Sequence, residues 1–294
     1  MKSSLVMRAM IGFYIFLFFL YLFGPLLVMS VTAFNTPNYP TALPFEGFTL
    51  GWFPKLWNDR QMMDGLWNSF IIGFGVVAIS VPVGLAAAII MGQIYHRARS
   101  LFYLVTISPV LTPGVIIGIS TVIFWKDVLS VTDVTKAVFY KGIVLSIFGQ
   151  SSFVAAYCLL IIMARLQRFD RAQEEAALDL GASYPQVFWH ILLPFLKPAL
   201  ISASVIAFLS SFENYNTTTF AILADKTLVT VLAGQVRQGT TPALSALAVI
   251  IIGISLAGAI IYEVMKRREE AMAEKAKERA KMAERGEVGM AVGA

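Results

Sequence analysis

Charge is scarce in this chain. Only 14% of its 294 residues are Asp, Glu, Lys or Arg, whereas 57% are hydrophobic. A soluble domain typically has about a quarter of its residues charged. The shortage of charge excludes an ordinary soluble protein and indicates that lipid is the main solvent. We therefore expect no nucleic-acid partner.

Cysteine and histidine are almost absent. The single cysteine, Cys158, lies within an apolar run, so an intrachain disulfide is excluded. The chain has two histidines and neither an HExxH nor a CxxC spacing, which are typical of zinc sites. We therefore expect no metal site. The GxxxxGK[ST] phosphate loop is also missing, so we expect no ATP binding by that motif, no enzymatic activity and no cofactor in this chain.

Long hydrophobic runs are abundant. A bilayer core of about 30 Å is crossed by about 20 apolar residues in a helix, and a helix satisfies its own backbone hydrogen bonds in lipid. Six segments meet this requirement, namely residues 9–33, 67–92, 101–125, 142–164, 192–212 and 243–265. The first run is too long for the apolar part of a signal peptide, and no A-x-A site follows it. The chain is predicted to be an all-α membrane protein with six transmembrane helices.

Lys and Arg residues are distributed unevenly between the predicted loops. With the amino terminus inside, 16 of the 23 lie on the cytoplasmic side and the remaining seven on the other side. Cytoplasmic loops carry an excess of these residues, so both termini are predicted to be cytoplasmic. Residues 1–266 then form the transmembrane domain, and residues 267–294 form a charged cytoplasmic tail. On the outer side, the aromatic-rich residues 34–66 fit an interfacial helix and an irregular loop equally well.

One cytoplasmic loop, about residues 166–191, is much longer than a turn requires. Asp170 is positioned to cap a helix that begins immediately after it. Gly181 is well placed as the left-handed carboxyl-terminal cap of that helix. Ser183, with Gln186 three residues later, has the pattern that starts a second short helix. The loop is predicted to form two small helices hinged at Gly181, which together offer a surface on which another protein can dock.

The same loop carries a spaced signature. Its fixed positions are Glu175, Ala176, Ala177, Gly181, Ile191, Leu193 and Pro194. This spacing resembles the Glu-Ala-Ala signature of permease subunits of bacterial binding-protein-dependent ABC importers, on the expected face and before the expected penultimate span. The resemblance implies the type I ABC importer permease fold. It also implies that the loop forms a coupling helix docking into a groove of an ATPase subunit, with Glu175 and Gly181 at the joint.

The family resemblance further implies an assembly in the bacterial inner (cytoplasmic) membrane. The expected partners are a second permease subunit, two ATPase subunits and a periplasmic substrate-binding protein. ATP and Mg²⁺ would be bound by the ATPase subunits, and closure of their dimer would drive the spans between inward and outward states. The second permease is expected to be a different chain, with a homodimeric pair as the alternative.

A second polar segment lies at the outer end of the fifth predicted span. It contains Phe212, Glu213, Asn214 and Tyr215. An acidic residue near the membrane indicates function unless it is paired or hydrated, and a carboxylate beside aromatic rings attracts an ammonium group. Glu213 and its neighbours are therefore candidates for the substrate pathway. The alternative is a helix-end acid that is solvated or paired with Lys226 or Arg237.

This segment and residues 227–246 resemble the spermidine/putrescine-type subfamily, which implies a polyamine or a related organic cation as substrate. Glu213-Asn214-Tyr215 departs from the Asp-containing pattern common in that subfamily, so iron, thiamine and phosphonate compounds remain alternatives. An ion-coupled secondary transporter is a weaker alternative, because the spans show no convincing repeat and Glu213 lies only at an edge. A membrane-embedded enzyme is disfavoured, because no Ser/His/Asp set or acidic pair lies at matched depth.

Overall fold

The chain is helical. The computed structural model describes residues 5–129 and 139–258, together with residues 260, 261, 263, 264, 267 and 268. Within these ranges the only strand-type pairing is an isolated bridge between Asn35 and Phe48. The helices are α1 Leu5–Thr32, α2 Trp52–Asn58, α3 Arg60–Gln93, α4 His96–Leu111, α5 Gly114–Leu129, α6 Gly142–Leu166, α7 Ala172–Asp179, α8 Tyr184–Val187, a π-helical turn Phe188–Leu192, α9 Leu193–Phe212, α10 Thr218–Ala221, α11 Leu228–Gln238 and α12 Pro242–Gly258. The all-α prediction is confirmed. Most of the predicted charged tail, residues 269–294, lies outside the described residues.

Four described helical segments are long and apolar enough to cross a membrane. They are Val6–Thr32, Arg60–Gln93, Gly142–Leu166 and Tyr184–Phe212. A fifth crossing arises if Ala98–Leu111 and Gly114–Val128 are counted together, although these two helices are bent by 101°. The last predicted span, 243–265, contains most of α12 and the helical residues 260, 261, 263 and 264. The count of six spans and the orientation of the termini therefore remain predictions.

Two differences from the predicted spans have local causes. α3 begins at Arg60 rather than at residue 67, because the carboxylate of Asp59 accepts a hydrogen bond of 3.1 Å from the backbone N–H of Met62 and caps the helix. The predicted span 101–125 is broken into α4 and α5 at Pro113. Proline has no N–H to donate and disfavours helical backbone in the residue before it, and Thr112 is extended there with φ −84° and ψ 131°.

Residues 57–239 form one compact unit, whose core is built from α3, α6 and α9. Ile72 and Val76 of α3, Leu159 of α6 and Leu196 of α9 are buried in this core. Small residues bring the helices close together. A Cβ built at Gly84 of α3 would lie 2.5 Å from the Cβ of Cys158 on α6, so this crossing requires glycine.

Residues 1–56 and 240–294 group into a second unit. The hydroxyl of Thr32, at the end of α1, donates a buried hydrogen bond of 2.7 Å to the hydroxyl of Ser245 on α12. Ala33, Trp52 and Ala246 form a small core beside this pair. The apolar window of α1 has none of its residues buried, so its side chains need lipid or another chain to cover them.

The predicted outer loop contains both a short helix and irregular chain. Asn35 connects distant parts of this loop. It is buried, and its side-chain amide donates hydrogen bonds to the carbonyls of Thr41 and Pro44 at 2.9 and 3.1 Å. The ring N–H of Trp52, in α2, donates to the backbone carbonyl of Asn35 at 2.8 Å. Since Trp52 is buried within the chain, this tryptophan does not serve as an interfacial anchor.

Candidate coupling loop and transport pathway

The first small helix of the loop is α7. The carboxylate of Asp170 accepts a hydrogen bond of 3.0 Å from the backbone N–H of Ala172. The helix begins at Ala172, one residue later than expected, so the N-cap position is Arg171 rather than Asp170, which lies one residue before it. Glu174 and Glu175 lie in its first turn, where acidic side chains complement the positive end of the helix dipole.

Gly181 ends this helix in the left-handed conformation that the sequence predicts, with φ +88°. The N–H of Gly181 donates to the carbonyl of Leu178 at 2.9 Å, and the N–H of Ala182 donates to that of Ala177 at 3.0 Å. These two bonds are the Schellman pattern, which satisfies the last carbonyls of a helix and reverses the chain. Gly181 is exposed, and a Cβ built on it would meet nothing within 4 Å. Backbone conformation, rather than space, requires glycine here.

The second helix starts as predicted but is not a separate short helix. The side-chain oxygen of Gln186 accepts from the backbone N–H of Ser183 at 2.8 Å, which is the expected capping box. α8 then continues through the π-helical turn into α9, so residues 184–212 form one continuous helix. Pro194 lies inside it and has no N–H to donate. Just before it the helix widens into the π-helical turn, where the N–H of Leu193 donates to the carbonyl of Phe188, five residues earlier.

The signature residues divide into an outer and an inner set. Glu175, Ala176, Gly181 and Pro194 are exposed, whereas Ala177, Ile191 and Leu193 are half-buried. Large apolar side chains flank the exposed set, with Leu180 at 90% and Tyr184 at 73% exposure. A groove of about 380 Å³ runs between Leu180 and His190. Exposed apolar side chains of this size around a capped helix are typical of a protein-binding surface.

The loop is fastened to the helical core by contacts that the sequence did not predict. A guanidinium nitrogen of Arg171 donates to the carbonyl of Gly92, near the end of α3, at 2.9 Å. On the other side, the ring of Phe169 lies 5.1 Å from that of Phe195 in α9. The guanidinium of Arg165 lies 4.3 Å from the same Phe195 ring. The loop therefore contacts α3 and α9 directly.

The candidate pathway residues around Glu213 do not form one shared site, because each of them contacts different neighbours. Glu213 is exposed and, within the described residues, forms no ion pair with Lys226 or Arg237. Arg237 instead donates to the hydroxyl of Tyr215 at 3.0 Å. The ring of Phe212 packs 5.4 Å from that of Phe70, across on α3, rather than beside the carboxylate.

The side-chain hydrogen bonds of Asn214 stabilise the backbone of the following turn. Its side-chain oxygen accepts from the N–H groups of Thr217 and Thr218 at 3.1 and 3.2 Å, which starts α10. Beneath this turn lies Gln150 of α6, which is buried. Gln150 accepts from the hydroxyl of Ser211 at 2.5 Å and donates to that of Thr218 at 2.7 Å. The sequence reasoning missed Gln150, although a glutamine within an apolar run is itself a signal of a buried polar contact.

Residues 80–270 match the family described as "Binding-protein-dependent transport system inner membrane component". The chain belongs to this family. The match extends from the middle of α3 to the end of the described chain and includes the whole coupling loop.

The chain is similar to curated relatives over most of its length. It is 28% identical over 256 residues to the putrescine transport system permease protein PotI of Escherichia coli (strain K12), covering 86% of this chain and 89% of that one. It is 25% identical over 260 residues to the spermidine/putrescine transport system permease protein PotC of Haemophilus influenzae (strain ATCC 51907 / DSM 11121 / KW20 / Rd), covering 87% and 95%.

The fold is also similar to that of a solved transporter. A chain of a bacterial ABC transporter involved in the import of the acidic polysaccharide alginate matches with a TM-score of 0.66 at 18% identity, covering 91% of this chain and 96% of that one. This confirms the type I ABC importer permease fold. The protein is therefore a multi-pass permease subunit of an ABC importer in the inner membrane, and a transport component rather than an enzyme.

Proposed function

We propose that this permease forms half of the translocation pathway of an importer for a polyamine or a related organic cation. The observation that carries the proposal is the similarity to putrescine and spermidine/putrescine permeases over 86% and 87% of the chain. The alginate transporter supports only the fold, because its identity is 18%. The exposed, unpaired carboxylate of Glu213 supports a positively charged substrate, since it leaves a negative charge open to solvent within the described structure.

The partners follow from the family to which the chain belongs. Two separate ATPase subunits bind ATP and Mg²⁺, in keeping with the missing phosphate-loop motif of this chain, and a periplasmic binding protein delivers the substrate. A second permease subunit completes the pathway, and we propose a different chain for it. The excess of Lys and Arg supports a cytoplasmic location for the termini and for residues 166–191.

Coupling occurs through α7 and the turn at Gly181. Glu175, Ala176 and Gly181 form the exposed face that enters the ATPase groove, and the flanking Leu180 and Tyr184 add apolar contact area. Ile191 and Leu193 are half-buried and follow the turn on the continuous helix, where Ile191 lines the groove beside Leu180. Ala177 accepts one of the hydrogen bonds that close the turn, and Pro194 lies at the start of α9. Closure of the ATPase dimer moves this surface, and the contacts of Arg171 and Phe169 transmit the displacement to α3 and α9.

The substrate proposal is tested with the complete transporter in proteoliposomes. ATP-dependent uptake of labelled putrescine is measured with the cognate binding protein outside, and unlabelled spermidine, thiamine and ferric iron are added as competitors. We expect putrescine uptake that only spermidine suppresses. Uptake of thiamine or iron without putrescine uptake would overturn the polyamine proposal while leaving the chain an importer permease.

A further inference from the structure

A large cavity lies away from Glu213, inside the elbow between α4 and α5. It has a volume of about 690 Å³ and is lined by α3, α4, α5 and α6. This volume lies within the range of small-molecule sites, about 300–1,000 Å³. None of the described residues that line it is charged. We propose that this cavity is an uncharged subsite for the alkylammonium groups of the substrate, an inference that rests on the proposed function.

Hydroxyl groups give this cavity its polar character. Six of the lining residues carry one: Ser108, Thr112, Ser120, Thr121, Ser151 and Ser152. Five of them donate their single proton to a carbonyl of their own helix. The bonds run from Ser108 to Val105, Thr112 to Ser108, Ser120 to Ile116, Thr121 to Ile117 and Ser152 to Gly149, at 2.6–3.1 Å.

These bonds decide which ligand the cavity fits. A hydroxyl has one proton to donate and two lone pairs that accept, so the five oxygens are left as acceptors. The sixth hydroxyl, that of Ser151, is buried and has no hydrogen-bond partner. A lining rich in acceptors and poor in donors matches a ligand that only donates. An ammonium group has three donors and no acceptor, whereas a carboxylate or phosphate would meet lone pairs with its own.

Two further features favour a cation with an apolar stem. The rings of Trp125 and Phe148 stack 4.6 Å apart in the wall, and Phe124 lies beside them. Aromatic faces attract cations and also pack against methylene groups. The last turn of α4 contributes Ser108, Pro109 and Thr112 to the lining, and the carboxyl end of a helix carries a partial negative charge.

The amino end of α5 lies across the bend and carries a partial positive charge, so the hydroxyl oxygens and the rings, rather than the helix ends, carry the preference for a cation. Lipid is a poor occupant, because acyl chains would leave the buried Ser151 hydroxyl without a hydrogen-bond partner. The absence of a carboxylate among the described lining residues suits passage, because a neutral site holds a cation weakly enough to release it.

Charge-selective labelling tests the subsite in the complete transporter. Ser152 is exposed, so Ser152→Cys is compatible with folding, and the native Cys158 is buried. The variant is treated with methanethiosulfonate ethylammonium, which is cationic, or with the ethylsulfonate, which is anionic. Each rate is divided by the rate with free cysteine. We expect the cationic reagent to react at least tenfold faster and putrescine to slow it, while the unsubstituted chain stays unlabelled.

Three outcomes would overturn the subsite. Equal normalised rates would show that the cavity does not prefer cations. Failure of both reagents to react would show that lipid or the second permease subunit fills it. A preference that putrescine leaves unchanged, in a transporter that imports putrescine, would place the substrate elsewhere. Putrescine uptake by the unsubstituted transporter is measured in the same vesicles, so loss of the polyamine proposal is seen separately from loss of the charge preference.

A second substitution tests the proposed subsite without chemical labelling. Thr112→Val keeps the side-chain shape and removes one acceptor, and Ser202→Ala is the matched control, since Ser202 donates to the carbonyl of Pro198 at 3.0 Å outside the cavity. We expect Thr112→Val to raise the apparent KM for putrescine at least about tenfold, in line with one hydrogen bond to a charged group, and Ser202→Ala to leave it unchanged. Equal KM values for the two variants would contradict the subsite.

Discussion

A guanidinium nitrogen of Arg171 donates a hydrogen bond to the backbone carbonyl of Gly92 across 2.9 Å. The two residues are 79 positions apart in the sequence, and the bond joins the start of the coupling loop to the end of α3. Since α3 packs on α6 and α9 in the core, we expect movement of the loop to reach the central helices through this short polar contact.

Removal of this contact is expected to weaken coupling. In Arg171→Ala the loop keeps its own helices but loses its bond to α3, so uptake per ATP hydrolysed should fall about tenfold, since hydrogen bonds to charged groups contribute about 1.5–3 kcal/mol. Arg168→Ala removes an exposed arginine of the same loop and should have little effect. Parallel assays of ATPase activity and uptake in proteoliposomes measure the ratio, and an unchanged ratio in Arg171→Ala would contradict the role.

Gly181 offers a test in which backbone conformation is separated from side-chain volume. Its φ of +88° disfavours residues with a Cβ by about 1–2 kcal/mol, although space is open around it. Gly181→Val should therefore distort the turn and abolish ATP-driven uptake with normal membrane levels. Gly181→Asn should retain most uptake, because asparagine tolerates left-handed backbone. Equal uptake by the two variants would show that the conformation is not what matters.

Gln150 should be important for stability. Gln150→Leu leaves the buried hydroxyl of Ser211 without its partner, and that of Thr218 without one of its two. An unsatisfied buried polar group costs about 1–3 kcal/mol, so the thermal unfolding midpoint of the purified transporter should fall. Gln167→Leu, at the exposed end of the same helix, is the matched control. A midpoint that is the same in both variants would be inconsistent with the bond network.

The helix crossing at Gly84 predicts a destabilisation of steric origin. A Cβ at this position would also lie 2.8 Å from the backbone nitrogen of Leu159, and such overpacking costs about 1–3 kcal/mol. Gly84→Ala should lower the unfolding midpoint. Gly12→Ala, in α1, meets nothing within 4 Å and should leave the midpoint unchanged or raise it slightly. The reverse order of the two midpoints would contradict the packing.

Glu213 is expected to act through charge rather than through a fixed contact, because it is exposed and, among the described residues, has no ion pair. Glu213→Gln should raise the apparent KM for putrescine about threefold at low salt, and the difference should shrink in high salt, where exposed charges are screened. Glu213→Asp should behave as the unsubstituted chain. If Glu213→Gln matches the unsubstituted chain at every salt concentration, the carboxylate is not on the pathway.

Local chemistry predicted the coupling loop well. Asp170, Gly181 and Ser183 each act on neighbours within five residues, so their caps and turns can be read from spacing alone. The error at the start of α7 is one residue, which is usual for helix ends. The continuous helix through Pro194 was not predicted, because the accommodating π-helical turn depends on how α9 continues into the core.

Long-range contacts could not be predicted. Gln150 meets Ser211 and Thr218 from positions 61 and 68 residues away, and nothing in the sequence specifies those pairs. The size of the bend at Pro113, 101°, could not be predicted either, since a proline in an apolar run fits a kinked span as well as a broken one. The cavity lies inside that bend, so it could not be predicted from the sequence either.

The central claim is that ATP-derived energy enters this importer through the exposed face around Gly181. Its most direct test is photocrosslinking with benzoylphenylalanine in place of Leu180, which is 90% exposed beside the signature, in the complete transporter. The account predicts a covalent adduct with the ATPase subunit, and none from the same probe in place of Phe13 on α1. An adduct only with lipid or with the second permease, or an equal ATPase adduct from both positions, would contradict it.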